Sequence, residues 1–193
     1  MQYTNINDTM TKEWLRNAKI SLRAPEPEDL ELMFQMENDT TLWNIGNHTQ
    51  PFSRYTLRRY IEESVHDIYT DKQIRFIIEL PDKTAVGIID IADFDPRNKR
   101  AEVCIGLLAQ HRGQGIGYAA LTLLLDYAFN LLQLNQLYAY IPQDNWHSRN
   151  LFAKATFKET AQLQEWLRSE EEYKNVIMVQ LLKKEYKVPK NIE

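Results

Sequence analysis

One cysteine, Cys104, is present among 193 residues, so no disulfide can close within the chain and no cysteine-based metal cage can form. Histidine is scarce as well. His48, His66, His111 and His147 show no i, i+4 pairing and no cysteine partner at ligand spacing, so no metal is expected. Positive charge is not in excess: 23 Lys and Arg stand against 27 Asp and Glu, and a net charge of −4 gives no global field to gather nucleic acid or an anionic membrane. No apolar run approaches the roughly 18 residues that span a bilayer, and residues 1–25 contain no apolar signal core. These absences lead to the expectation of a protein without a membrane segment, held in the reducing cytoplasm.

Apolar residues, by contrast, make up 44% of the chain and aromatics 11%, enough for an enzyme-sized core. Residues 1–17 are polar and aperiodic and read as an extension, and 188–193 as a tail, which leaves 18–187 as a single domain. Residues 18–23 alternate around Ile20 and Leu22 as a strand does. After Pro25 and Pro27, the spacing of Leu30, Leu32, Met33 and Met36 predicts a helix over 27–37, and a second helix is predicted over 53–68 with Ser53 as its cap. From residue 73 the period falls to two. Strands at 74–80, 85–94 and 101–108, joined by short turns, predict an antiparallel meander in which Cys104, between Val103 and Ile105, reads as buried strand interior. A long apolar helix over 116–132, a strand at 136–141, a helix over 145–155 and a closing hairpin of 157–167 and 175–182 around a charged loop at 169–174 complete the series. The fold class is α+β, with a mixed, mostly antiparallel sheet of about seven strands flanked by about four helices.

The junction between the third meander strand and the long helix reads Gln110-His111-Arg112-Gly113-Gln114-Gly115-Ile116-Gly117. Glycine tolerates positive φ and close backbone approach, so successive N–H groups can converge where the helix dipole adds positive charge, and a diphosphate suits that point. The spacing is not that of a dinucleotide fold, which needs G-x-G-x-x-G in a parallel βαβ unit, nor of Walker A. A turn that uses glycine for shape alone is the plain alternative.

Gln110-x-x-Gly113-x-Gly115 also resembles the acyl-CoA signature of the GNAT superfamily of N-acetyltransferases. Leu22-Arg23, Ala101-Glu102-Val103 and Asn145-x-x-Ser148-x-x-Leu151-Phe152-x-Lys154-x-x-Phe157 fall in matching order, and the whole is similar to the branch of Rim-type ribosomal-protein and bacterial spermidine N-acetyltransferases. The resemblance implies splayed central strands, acetyl-CoA as co-substrate, and direct attack by a primary amine of a protein N-terminus, polyamine or small molecule in a ternary complex. It also implies that the amides of Arg112, Gly113, Gln114, Gly115, Ile116, Gly117 and Tyr118 hold the pyrophosphate. Leu107, Leu108 and Ala109 would pair with the pantetheine arm beside Gln110, and Asn145, Ser148 and Phe152 would lie toward the arm and the sulfur.

Many relatives carry Tyr at the place of Phe152, which removes the usual phenolic acid and makes Ser148, one helical turn earlier, the expected proton donor. Glu102 and Glu165 are the candidates for general base, and Trp43 is the candidate for acceptor contact. Each has a plainer reading: Asn145 and Ser148 as helix caps, the glutamates as solvated strand residues. Residues 41–57 contain no Asp or Glu, so polyamines are expected to gain nothing over monoamines from this loop. A non-catalytic acyl-CoA-binding module and a nucleotide-binding regulator are the competing classes. The expected partners are acetyl-CoA and an amine, without nucleic acid or membrane, and with self-association left open.

Overall fold

The computed structural model describes residues 14–39, 50–64, 67–169 and 172–187. Seven strands form one sheet in the order β1-β2-β3-β4-β5-β7-β6, where β1 is Ser21–Arg23, β2 Ile74–Glu79, β3 Ala85–Asp95, β4 Arg100–Leu107, β5 Gln136–Pro142, β6 Lys158–Ser169 and β7 Glu172–Leu182. The helices among the described residues are α1 Leu30–Glu37, α2 Arg54–Glu63, α3 Ile68–Asp71, α4 Ile116–Asp126 and α5 Trp146–Lys154. Neighbouring strands are antiparallel except β4 and β5, which run parallel because the chain crosses over through α4. This is the expected α+β class.

Strand alternation separates two layers. Ala101 and Val103 of β4 turn to the face covered by α4, whose residues from Ile116 to Leu125 are almost all buried, and this face carries the main core. The opposite face is covered by α1 and α2, where Met33, Leu57, Ile77 and Ile88 form a smaller core. Met36 reaches as far as β4. A Cβ on Gly106 would lie 2.8 Å from its methyl group, so glycine there permits the close approach of α1.

Five expectations are corrected. Residues 18–20 are not strand: Asn17 Oδ1 accepts the N–H groups of Lys19 and Ile20, folding the chain into a turn closed by a bridge between Arg16 and Ser21. Leu15, placed in the extension, is buried. The helix predicted over 53–68 is two helices, because Ser64 is extended and Asp67 caps a new start through the N–H groups of Tyr69 and Thr70. The described residues of the charged 169–174 stretch are strand, with Arg168 paired to Tyr173 and Ser169 to Glu172. Cys104 is in β4 but exposed, since it lies on the α1 side of the sheet beyond the helices' cover. Other elements match closely. The predicted 116–132 helix is present, its last part widened to a π-turn at Tyr127–Leu131.

Candidate active site

The parallel pair β4 and β5 is joined only from Arg100 with Gln136 to Glu102 with Tyr138. Beyond that register residues 103–107 and 139–142 diverge, each strand still held on its far side by β3 or β7. Because Leu108 N–H donates to Val86 O, at 3.0 Å, the even-numbered groups of this stretch bond toward β3. Val103, Ile105 and Leu107 therefore point their N–H and C=O groups into the splay, an opening that an extended ligand can enter as a pseudo-strand.

The glycine turn lies at the mouth of this opening. Gly113 and Gly115 both adopt left-handed conformations, with φ of 75° and 77°, and Gly115 is the residue on which α4 starts. The N–H groups of residues 113–115 have no backbone acceptor among the described residues, and the first intrahelical bond is that of Ala119 to Gly115 O. The amides of Ile116, Gly117 and Tyr118 are then the orphans of a helix start. One expected donor is spent: Arg112 N–H bonds to Ala109 O at 3.2 Å, while its guanidinium reaches back to Leu107 O at 2.9 Å. Gln110 O accepts from the Gln114 side chain, which tightens the turn. Gly117 fits against Leu107, Ile105 and Leu151, and Lys154 of α5 lies over the Tyr118 ring at 4.3 Å, so α5 is docked beside the turn. Six consecutive amides, a helix terminus and left-handed glycines fit the diphosphate of a coenzyme A ester.

At the apex of the splay, on the α1 side, stands Glu102. Its register partner Tyr138 donates to Asp93 at 2.5 Å, and Asp93 occupies a bulge of β3 with φ of 47°. Burial raises the Glu102 carboxyl above the usual range, and repulsion from Asp93 adds to it, against a weak contact from the Cys104 thiol at 3.8 Å. The Cys104 thiol, though open to solvent, is itself pushed up by the enclosing strands and then by Glu102, which keeps it protonated and a poor nucleophile. Next along β3, Asp90 and Glu37 of α1 share Arg75. This face thus carries four carboxylates, two of which, Glu37 and Asp90, pair with Arg75. Toward the hairpin it is aromatic: Tyr138 meets Tyr140 edge to face, and Tyr140 stacks on exposed Trp166 with centroids 6.4 Å apart.

The remaining candidates separate. Asn145 caps α5 by accepting from Ser148 N–H at 3.1 Å, which fulfils the plain reading and leaves its amide donor available. The Ser148 hydroxyl has no protein partner among the described residues and is half-buried. Phe152, expected at the cofactor, is 2% exposed and packs on Phe157, because the α5 face one turn below Ser148 turns into the main core. Glu165 is exposed in a bulge of β6, its N–H bonded to Asn175 Oδ1. With β7 and β5 between β6 and β4, it is roughly three strand spacings, about 14 Å, from β4, so the structure does not bring it to Glu102. Trp43, His48 and His66 lie outside the described residues. Asp93, Tyr138, Tyr140 and Trp166 were missed; the only signal was the alternation of two tyrosines along β5.

A splayed parallel pair with a glycine turn at its mouth defines an acyl-CoA-dependent transferase. The family model described as an acetyltransferase (GNAT) domain matches residues 19–158, and the chain belongs to this family. It is an acetyl-CoA-dependent N-acetyltransferase. It is similar to a spermidine N(1)-acetyltransferase of Vibrio cholerae, 23% identical over 171 residues that cover 88% of this chain and 96% of the relative. An uncharacterized N-acetyltransferase, p20, of Bacillus licheniformis is 29% identical, with 90% and 98% covered. Among solved structures, the Vibrio cholerae spermidine N-acetyltransferase in complex with CoA and spermine superposes with a TM-score of 0.80 at 22% identity, covering 88% of this chain and 98% of that one, a likeness of fold.

Proposed function

We propose that the chain transfers acetyl from acetyl-CoA to a primary amine that carries at least one further cation, by direct attack at the apex of the splay. The observation that carries this reading is the placement of Glu102, a half-buried carboxyl with a raised pKa, where the open strand edges meet an acidic face. The relatives of known name that act on spermidine support the acceptor class. An amine enters protonated, so it must lose a proton before attack, and Glu102 is the base for that step, directly or through water. The thioester supplies the activated acetyl group. A splay-facing N–H of β4 near Leu107 and closer to the apex, that of Ile105, is assigned to donate to the oxygen that gains charge, and the Ser148 hydroxyl to protonate the departing sulfur. Residues 113–118 bind the diphosphate, and Asn145 presents its amide to the pantetheine arm.

Here we depart from the loop-based expectation about polyamines: the carboxylates that 41–57 lacks are assigned to Asp93 and Glu102, beside Glu37 and Asp90 that pair with Arg75. Spermidine is expected to exceed a monoamine of equal length in kcat/KM by about tenfold or more at low ionic strength, as one charge-pair contact provides. The advantage should shrink with salt. Equal kcat/KM for spermidine and the monoamine would refute the acceptor assignment. A second outcome follows from the lack of a phenol at position 152. Ser148→Ala should lower kcat by about 10²-fold or less, since CoA thiolate is a tolerable leaving group, with the KM for acetyl-CoA nearly unchanged. Turnover at the parental rate would transfer the proton-donor role to water.

A further inference from the structure

We infer that Lys19, from the turn that precedes β1, is a phosphate ligand of the coenzyme, acting from outside the glycine signature. This inference rests on the acyl-CoA reading of the turn. The Lys19 ammonium donates to Gln114 O at 2.6 Å, across 95 positions of sequence, and lies 3.1 Å from where a Gly115 Cβ would stand. It therefore meets the turn at the residue on which α4 starts.

Its backbone is held in place rather than trailing in solvent. Asn17 Oδ1 takes the N–H groups of Lys19 and Ile20 at 2.9 Å each, Asn17 N–H bonds to Ile20 O, and Ile20 is 2% exposed in the main core. The turn thus presents the lysine at a fixed point, and the entropy cost of ordering the side chain is already met in part by the Gln114 contact. An ammonium has three donors; one goes to Gln114 O, and no carboxylate pairs with Lys19 among the described residues. A cation with donors to spare, beside six amides that have no acceptor of their own, is arranged for an anion carrying several oxygens. Both the diphosphate and the 3′-phosphate of CoA meet that description, and the site is accessible to either. Arg112 turns its Nε back to Leu107 O and Lys154 lies over the Tyr118 ring, whereas Lys19 meets the turn directly, at Gln114 O and beside Gly115.

The test compares Lys19→Met and Lys19→Arg with the parent in calorimetric titrations with CoA and dephospho-CoA at several salt concentrations. Lys19 is exposed, so both variants should fold, and circular dichroism checks it. Lys19→Met is expected to weaken CoA by about tenfold, the measure of one charge-assisted hydrogen bond, and to flatten the salt dependence, while Lys19→Arg retains most of the affinity. A loss of equal size with dephospho-CoA assigns the contact to the diphosphate; a loss confined to CoA assigns it to the 3′-phosphate. The kcat/KM for S-acetylpantetheine, which lacks both, should be unaffected by Lys19→Met. Parental CoA affinity and salt dependence in Lys19→Met would overturn the inference, and so would an equal loss with S-acetylpantetheine, which marks a lysine that only braces the turn. Failure of the parent itself to bind CoA is a different result, and it would remove the acyl-CoA reading instead.

Discussion

Gly115→Val should abolish measurable CoA binding while leaving the sheet and both cores intact. At φ of 77° a side chain is strained whatever space surrounds it, and the cost for an L-residue in this region is about 1–2 kcal/mol, higher for a β-branched one. The new Cβ would also meet the Lys19 ammonium, which must move away from Gln114. Relief of this strain rotates the first peptide units of α4, and the amides of 115–118 then cease to converge. In the free protein Gly113→Val should act through φ alone, because a Cβ there meets nothing within 4 Å. Space in front of Gly113 is open in the free protein, so loss of binding in that variant reports backbone conformation or collision with bound phosphate. Both glycines lie in an exposed turn, and circular dichroism should show an unaltered fold. Parental CoA affinity in a folded Gly115→Val would mean that the turn does not hold the diphosphate.

Glu102→Gln should lower kcat by about 10²- to 10⁴-fold, the range for removing a general base, and should raise the melting temperature. The two effects have one origin. Burial, and then Asp93, raises the folded-state pKa of Glu102, so its contribution to stability is full below the unfolded pKa and is lost as pH rises through the folded one. Above the folded pKa the ionised carboxylate is therefore a burden on folding, and the neutral amide removes it. The same shift places the acid limb of kcat/KM above the ordinary glutamate range. Asp93→Asn removes the repulsive partner and should move that limb to lower pH. A Glu102→Gln protein with parental turnover, or a limb that ignores Asp93, would assign the base elsewhere.

Much of this arrangement was readable because its causes are local. The glycine turn declares itself through the φ values that only glycine adopts cheaply, and Ser53 and Asn145 cap their helices as their chemistry allows. The strands of the meander follow period two, which set Glu102 and Cys104 on one face. Alternation does not say what covers that face: it predicts Cys104 as buried, and the thiol is exposed. The break between α2 and α3 was hidden because the apolar spacing runs on through Ile68, while the cap at Asp67 decides the outcome. Contacts between distant segments were beyond reach. Nothing near Lys19 in sequence points to Gln114, and nothing near Asp93 points to Tyr138; the sheet order alone joins them. The position of Phe152 shows the converse limit, since a residue matched by motif turned out to serve the core.

The central claim is that acetyl transfer to an amine takes place at the splay between β4 and β5 with the coenzyme held on residues 113–118. It is tested most directly by the initial rate of thiol release from acetyl-CoA, followed with increasing spermidine. The expected result is a saturable release that depends on the amine, is absent in Gly115→Val and is reduced at least 10²-fold in Glu102→Gln, as loss of a general base implies. Tight binding of acetyl-CoA with no release above background for spermidine or any other amine would contradict it, and would leave a module that binds the coenzyme without using it.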